Sequence, residues 1–365
     1  MDTLIAPQVV SLVHPSGLSL DLMDLGATWL SCRVPLDDGS CREVILGCAM
    51  PADYRHQHAY LGAMIGRYAN RIANASLSRN GRHFRLHTEA GAQHQLHGGP
   101  NGFDRRMWSV VGKSPTYVNL RLVSGDGDQG FPGRVDVELS VSLSGPIQIT
   151  VDISATTTEA CPVCITHHPY FNLDANHTDV RAHRLQVAAD RFLPVDQMKI
   201  PLGELVAVDA QEFGAAFDFR VAKPFSQHWL QDSQQKITDG YDHAFLLNEV
   251  TKDAQSRAAL LYSEDGRLSM SLSTSLPALH VYAGQGLEGI ISRDGSRYAA
   301  CAGVALEPEF LPDSPSHPEW PQRSCWLQAG ATYQHVIRYD FEALSDLGQC
   351  RAAWHRHAQQ LSPER

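Results

Sequence analysis

The sequence predicts an all-β fold built from antiparallel strands. Short runs of alternating or uniformly apolar residues recur along most of the 365-residue chain, bounded by Gly, Asp, Asn or Pro. Runs of that length and spacing are typical of a sandwich or a barrel, and not of alternating strands and helices. Helix signals are scarce before the C-terminal end, which favours the same fold class.

The individual strands are predicted where this pattern is clearest. In chain order these runs are Tyr117–Val123, Val135–Leu143, Ile147–Ile153, His183–Ala188, Leu268–Ser273, Leu279–Ala283 and Tyr333–Phe341. Segments rich in turn-forming residues separate them, and residues 124–133 are an example with four glycines and a proline. That acidic loop lacks the ligand spacing and the terminal Glu of a calcium loop, so we interpret it as a solvated turn.

Residues 1–341 are predicted to form one large domain. No internal repeat, low-complexity tract or linker rich in Pro, Gly or Ser divides this stretch. The end of the chain differs in character, since Ala343–Gln360 is rich in Ala, Leu, Gln and Arg. These residues favour helix, and residues 342–365 are therefore expected to form a short helical tail.

Charge and cysteine usage restrict the partners and the compartment. The formal net charge is -10 at pH 7, so nucleic acid finds no general electrostatic attraction. The first residues lack a basic region followed by an apolar core, and no apolar run approaches the length of a membrane span. The eight cysteines follow no regular framework. We expect a cytoplasmic protein, monomeric or homodimeric, with reduced thiols and no membrane or nucleic-acid partner.

The segment 161–173 contains two cysteines and two adjacent histidines. Imidazole exchanges protons near neutral pH, which indicates a proton-transferring site. If the backbone is extended, Cys164 and His168 share one face of the strand while His167 points to the other. The same alternation separates Cys161 from Cys164. A zinc site is disfavoured because these ligands diverge and no second pair of Cys or His follows.

A second candidate lies in residues 305–315. Pro308 favours an extended backbone at Glu307, and alternation then places Glu307 and Glu309 on the same face. Neighbouring carboxylates raise each other's pKa, which suits a general base working near neutral pH. A solvated strand end before a proline-rich loop explains the pattern equally well.

Other polar groups complete the candidate chemistry. Asn70 and Arg71 supply hydrogen-bond donors, His97 is followed by two glycines that permit close backbone approach, and Asp242 precedes an apolar run. The nucleophilic Gly-x-Ser-x-Gly turn and the phosphate-binding loops of nucleotide enzymes are missing from the sequence. This set indicates proton transfer on a polyhydroxylated ligand without a cofactor or a metal.

Taken in order, these segments resemble the aldose 1-epimerase family, whose members are also called galactose mutarotases. The resemblance spans residues 15–341 and rests on residues 66–72, 96–99, 102–104 with Trp108, 126–133, 168–173, 240–245 and 306–320. It implies a large twisted antiparallel β-sandwich that holds a sugar in an open groove. It also implies interconversion of the α and β anomers of free aldohexoses such as galactose and glucose.

The resemblance further implies a role for each site residue. Glu307 matches the general base and His168 the general acid. The positions that match sugar-binding residues are Arg71, His97 and Asp242, with Asn70 beside them. Glu307 would take the proton from the C1 hydroxyl while His168 protonates the ring oxygen. The ring opens to the aldehyde, and rotation about C1–C2 followed by reclosure yields the other anomer. This requires an ionised carboxylate and a charged imidazole.

Three positions depart from the family pattern. Relatives usually carry Asn where His167 stands, Gln where His280 stands and Asn where Gln285 stands. His280 is therefore a candidate sugar contact of altered chemistry. Two other functions stay open: a hexose-6-phosphate 1-epimerase, which would need more Arg or Lys near the groove, and a noncatalytic sugar-binding or sensor module. The presence of both His168 and Glu307 argues against the module.

Overall fold

Strands account for most of the ordered architecture. The structure, a computed structural model, describes residues 6–174, 176, 178–213 and 215–344. Within these ranges the one α-helix is α1 (Ser233–Thr238), whose N-cap Asp232 accepts a hydrogen bond from the Gln235 backbone N–H at 2.9 Å. Short 3-10 turns occur at Pro51–Arg55, Ala73–Ala75, Phe103–Arg105, Asp128–Gly130, Gln285–Leu287 and Ser314–Ser316.

The strands of the described residues are mostly short. In chain order they are β1 (Val9–Val13), β2 (Ser19–Met23), β3 (Thr28–Pro35), β4 (Cys41–Glu43), β5 (Ala63–Ile65), β6 (Arg71–Ile72), β7 (Ser76–Arg79), β8 (Arg82–Arg85), β9 (Gln95–Leu96), β10 (Ser109–Lys113), β11 (Tyr117–Ser124), β12 (Val135–Gly145), β13 (Gln148–Thr157), β14 (Cys161–Pro162), β15 (Thr166–His168), β16 (Tyr170–Phe171), β17 (Arg184–Val187), β18 (Ala189–Leu193), β19 (Val206–Ala207), β20 (Lys223–Pro224), β21 (Asp242–Leu247), β22 (Arg257–Tyr262), β23 (Leu268–Thr274), β24 (Ala278–Tyr282), β25 (Val304–Glu309), β26 (Trp326–Leu327) and β27 (Thr332–Ala343).

Two large antiparallel sheets organise these strands. The first has nine strands in the order β10-β11-β12-β13-β27-β23-β22-β17-β20, and the second has six in the order β16-β25-β24-β21-β18-β19. Every neighbouring pair in both sheets is antiparallel. All seven predicted runs are strands, and the predicted antiparallel all-β fold is confirmed. A four-stranded sheet, β1-β2-β3-β4, and the pairs β5–β15, β6–β9, β7–β8 and β14–β26 complete the fold.

The two large sheets share one apolar core. Val137 and Ile153 of the nine-stranded sheet belong to the same buried cluster as Val281 and Leu306 of the six-stranded sheet. Because side chains alternate across a strand, every second residue of the six-stranded sheet projects away from this core, on the opposite face of the sheet. That opposite face carries polar side chains and forms the floor of a cavity.

The predicted C-terminal helix falls almost wholly on residues 345–365, which lie outside the described residues. β27 continues to Ala343, the first residue of that predicted helix. The helical tail therefore stays a prediction.

Candidate active site

The floor of the site comes from three adjacent strands of the six-stranded sheet. Glu307 on β25 pairs in register with His280 on β24, and Asp242 on β21 pairs with Tyr282 two positions further along β24. Glu307 and Glu309 lie on the same face, as the alternation predicted. Both carboxylates are buried, with 1% and 0% of their surface exposed.

His168 reaches the site from β15, which pairs with β5 beside the cavity. Its Nε2 lies 3.3 Å from Glu307 Oε1. His167 points the other way: its Nε2–H donates to the Gly62 carbonyl at 3.0 Å, and its ring packs 4.2 Å from that of Trp29. Burial lowers the pKa of His167 to about 3. The predicted divergence of the two rings is confirmed, and His167 is part of the apolar core.

The wall of the site depends on a close backbone approach. β6 and β9 pair so that Arg71 lies opposite Leu96, and His97 follows with a left-handed φ of 52°. Gly98 also has a positive φ, and a Cβ atom there would lie 2.1 Å from the Gly66 carbonyl oxygen. Only glycine fits this position, so the glycine after His97 allows that ring to enter the cavity.

One backbone hydrogen bond decides the tautomer of His97. The Asn70 backbone N–H donates to His97 Nδ1 at 3.1 Å. A ring nitrogen that accepts a hydrogen bond carries no proton, so the proton of the neutral ring is on Nε2. Burial, and next the neighbouring His168 and Arg71 groups, hold the pKa of His97 well below its usual range. His97 therefore presents an N–H donor and no positive charge.

Asn70 organises its neighbours with both ends of its side chain. Its Nδ2 donates to Glu309 Oε1 at 3.0 Å, and its Oδ1 accepts from the Arg71 backbone N–H at 2.8 Å. Asn70 also lines the cavity, as does Arg71. The amide thus links the wall of the site to its floor.

Asp242 is held from two sides. Its Oδ1 accepts from His280 Nε2 at 2.8 Å, and its Oδ2 accepts from Lys199 Nζ at 2.7 Å. His280 Nδ1 faces Glu309 Oε1 at 3.7 Å. The sequence provided no indication of Lys199, because it lies in a loop 43 residues before Asp242 and nothing in its local pattern indicates a site.

The site carboxylates differ in their ionisation. Burial, and next the charge of Asp242, raises the pKa of Glu307 well above its usual range, and Arg71 opposes this. Burial and then the neighbouring Glu307 raise the pKa of Glu309 in the same way. Asp242 behaves oppositely. Burial resists its ionisation, but the hydrogen bond from His280 holds its pKa well below the usual range. The neighbouring His280, Arg71 and Lys199 groups lower the pKa of Asp242 further.

Burial shifts the pKa values of the proposed acid and base in opposite directions. Burial lowers the pKa of His168 to about 3 and raises that of Glu307. Burial therefore favours the uncharged form of each group. This differs from the charged pair that the sequence-based mechanism assumes, because the sequence does not reveal how thoroughly both groups are buried.

The protonation of His97 makes this cluster a poor metal site. His97, His168 and Glu307 place ligand atoms within 4.8 Å of one another, and two histidines with a carboxylate can bind zinc. However, the free nitrogen of His97 carries the proton, because Asn70 occupies the other one. Cys161 and Cys164 do not help, since they contact Thr157 Oγ1 and the backbone N–H of residue 310, respectively.

These groups surround a cavity of about 210 Å³. Drug-sized ligands usually occupy about 300–1,000 Å³, so this cavity suits a smaller molecule. Its lining also includes three tyrosines that the sequence did not assign to the site: Tyr60, Tyr170 and Tyr282. A larger open groove of about 1170 Å³ crosses the nine-stranded sheet, but no histidine is among its described lining residues.

A buried acid–base pair on a two-layer antiparallel sandwich, ringed by hydrogen-bonding side chains, defines an enzyme that moves protons on a small polar ligand. The chain belongs to the aldose 1-epimerase family, whose sequence profile matches residues 8–340. It is 46% identical over 336 residues to the aldose 1-epimerase of Escherichia coli K12, covering 92% of this chain and 95% of that protein. It is 32% identical over 326 residues to the galactose mutarotase of Sus scrofa, covering 89% and 91%.

A solved structure supports the same assignment. The GalM/aldose epimerase homologue from C. elegans superposes with a TM-score of 0.84 at 28% identity, covering 93% of this chain and all of the other. The twisted β-sandwich that the resemblance implied is confirmed. Within the described residues, no helix is long and apolar enough to cross a membrane.

Proposed function

We propose that this enzyme is an isomerase that interconverts the α and β anomers of free aldohexoses such as galactose and glucose. The observation that carries the proposal is the contact of His168 Nε2 with Glu307 Oε1, 3.3 Å apart in a cavity of monosaccharide size. An acid and a base this close can act on two adjacent oxygens of one small ligand. The relatives named aldose 1-epimerase and galactose mutarotase support the same reaction.

In the proposed mechanism Glu307 is the base and His168 is the acid. The carboxylate takes the proton of the C1 hydroxyl while His168 Nε2–H protonates the ring oxygen, and the C1–O5 bond breaks. Rotation about C1–C2 turns the other face of the aldehyde toward O5. Reclosure reverses both transfers: Glu307 returns a proton to O1, and His168 takes one from O5. No cofactor is required, because every proton is returned within the cycle.

A bound sugar changes which protonation states of Glu307 and His168 are favoured. Burial favours a protonated Glu307 and a neutral His168, which is the arrangement required after ring opening and before reclosure. A bound sugar donates from O1 to the carboxylate and accepts at O5 from the imidazolium, and both hydrogen bonds favour the charged forms. Ring opening thus starts from a charged pair that the substrate stabilises, and reclosure starts from the neutral pair that the protein stabilises.

The surrounding donors and acceptors orient the ring. His97 offers its Nε2–H, Arg71 its guanidinium, and Asp242 an ionised acceptor. We assign these three to hydroxyl binding. Asn70 and His280 also face the cavity, and they hold Glu309 and Asp242 in place as well. A misplaced ring would lose rate steeply, since proton transfer needs both groups within hydrogen-bond reach.

The phosphate-specific alternative has little support from the charges. Arg67 lies away from the cavity, and its guanidinium donates to the carbonyls of Pro132 and Gly133. Among the described residues that line the cavity, the Lys and Arg side chains are Lys199 and Arg71, and Lys199 is already paired with a carboxylate. The ionised carboxylate of Asp242 would repel a phosphate dianion, so free hexoses suit the site better.

The cellular setting follows the same proposal. The described cysteines are all unpaired thiols, as expected in a reducing compartment such as the cytoplasm. The partner is a small monosaccharide, and the protein acts as a monomer or a homodimer. Sedimentation of the purified chain would distinguish these two states.

Polarimetry of freshly dissolved α-galactose and α-glucose tests the proposed function. Wild type should speed equilibration above the buffer rate, while Glu307→Gln and His168→Ala should each lose at least about 10²-fold in rate. His87→Ala, which removes an exposed histidine, is the matched control and should retain full activity. Glucose 6-phosphate in the same assay addresses the phosphate alternative. A wild type no faster than buffer would refute the isomerase assignment, and undiminished variants would refute the assigned pair.

A further inference from the structure

Lys199 lines the cavity and, like Tyr60, Asn70 and His97, has an unusual backbone conformation. It has a φ of 62°, in the left-handed region that non-glycine residues rarely adopt. The loop around it enforces this conformation. Asp196 Oδ1 accepts from the backbone N–H groups of Met198 and Ile200 at 2.8 and 2.9 Å, and the Lys199 N–H donates to the Asp196 carbonyl at 2.9 Å.

The base of this loop is fastened to α1. Gln234 Oε1 accepts from the Val195 backbone N–H at 2.7 Å, and Gln234 Nε2 donates to the Val195 carbonyl at 3.1 Å. Val195 also forms a bridge with Pro201 across the loop. The loop therefore holds Lys199 over the cavity. Residues other than glycine stay in the left-handed region only where the surrounding structure imposes that conformation, and such residues cluster at functional sites.

The ion pair that Lys199 makes is not an ordinary surface pair. Its side chain is 30% exposed, but that of its partner Asp242 is only 8% exposed. The other oxygen of Asp242 is bound by His280. A carboxylate has about four acceptor positions and an ammonium three donors. After these two contacts, both groups keep free hydrogen-bonding capacity at the edge of the cavity.

We propose that Lys199 is a substrate-positioning residue, which fixes the direction of Asp242 and, together with it, binds one hydroxyl of the sugar. The inference rests on the proposed function, because it concerns the same substrate. A hydroxyl group can donate to Asp242 and accept from Lys199, so a single hydroxyl uses the free hydrogen-bonding capacity of both side chains. Lys199 takes no part in proton transfer, since the proposed acid and base are His168 and Glu307.

The test compares Lys199→Met, which keeps the length and removes the charge, with Lys199→Arg and with the control Lys113→Met. Lys113 is exposed on the edge strand β10. For galactose we expect Lys199→Met to raise KM about tenfold and to leave kcat within about twofold, the pattern for lost ground-state binding. Lys199→Arg should recover most of the affinity, and Lys113→Met should match wild type. An unchanged KM, or a loss confined to kcat, would overturn the proposal.

Deoxy sugars identify the hydroxyl and separate positioning from general damage. With 2-deoxygalactose, 6-deoxygalactose and the 3- and 4-deoxy analogues, the KM penalty of Lys199→Met should vanish for one analogue and persist for the others. A penalty of equal size for all four would overturn the hydroxyl contact. Calorimetric binding of galactose keeps the two hypotheses distinct. If wild type binds the sugar without accelerating interconversion, the proposed function fails, and the Kd ratio of wild type to Lys199→Met alone decides the role of Lys199.

Discussion

Replacement of Glu307 by Gln should slow catalysis by about 10²–10⁴-fold and at the same time stabilise the protein relative to wild type as the pH rises from 5 to 8. The carboxyl group is 1% exposed, and its Oε2 has no hydrogen-bond partner among the described residues. Burial and the charge of Asp242 raise its pKa well above its usual range. The folded state therefore holds this proton more tightly than the unfolded state does, and ionisation at higher pH favours unfolding.

The size and sign of the effect follow from proton linkage. A group whose pKa is raised by folding contributes its full stability below the unfolded pKa, here about 4.5, and loses it as the pH rises through the folded pKa. Within that window each pH unit removes about 1.4 kcal/mol from the free energy of unfolding of wild type. Gln does not titrate, so Glu307→Gln should gain on wild type by about that amount per pH unit. Each kcal/mol corresponds to roughly 2–4 °C in Tm.

Urea denaturation of wild type and Glu307→Gln at pH 5, 6, 7 and 8 measures this difference. Glu138→Gln serves as the control, because Glu138 is exposed on β12, and its stability should track wild type at every pH. Polarimetry on the same preparations should show a loss of about 10²–10⁴-fold for Glu307→Gln only. Stability curves of wild type and Glu307→Gln that stay parallel from pH 5 to 8 would refute the reasoning.

Two further changes test the support of the site. Gly98→Ala should destabilise the fold by about 2–4 kcal/mol and reduce activity through His97, because the new methyl group meets a carbonyl oxygen at 2.1 Å. Gly91→Ala shares the left-handed φ but meets nothing within 4 Å, so it should cost only about 1 kcal/mol; equal losses in urea denaturation would contradict the clash. The hydrogen bond to Asp313 raises the pKa of His317, so its stabilisation is fully present below the unfolded pKa of about 6.5 and is lost as the pH rises through the higher folded pKa. His317→Gln should therefore cost about 0.5–1 kcal/mol more at pH 5.5 than at pH 8.5, and an equal cost at both would count against this pair.

Local periodicity was enough to identify strands and the faces of their side chains. It separated His168 from His167 and placed Glu307 beside Glu309, because the side-chain direction alternates along any extended segment. The long regular strands of the nine-stranded sheet were predicted for the same reason. Most strands before residue 117 have only two to five residues, too few to show a period, and they were missed, as was the eight-residue β3.

The sequence pattern alone could not show which distant segments come together in the fold. Asn70 and Glu309 are 239 residues apart, yet they share a hydrogen bond. Family resemblance named most of the site residues, but it offered nothing for Lys199. That residue enters the site only because its loop is anchored on α1 and folded back over Asp242.

The sequence by itself determined the strand pattern, the family, and the set of acids, bases and donors available for the reaction. Those follow from side-chain identity and from alternation, which are local properties of the chain. Only the tertiary structure decided which protonation states the site favours: the uncharged forms of Glu307 and His168, a proton on Nε2 of His97, and an ionised Asp242. Protonation depends on burial and on neighbouring charges, and both arise only when distant strands pack together.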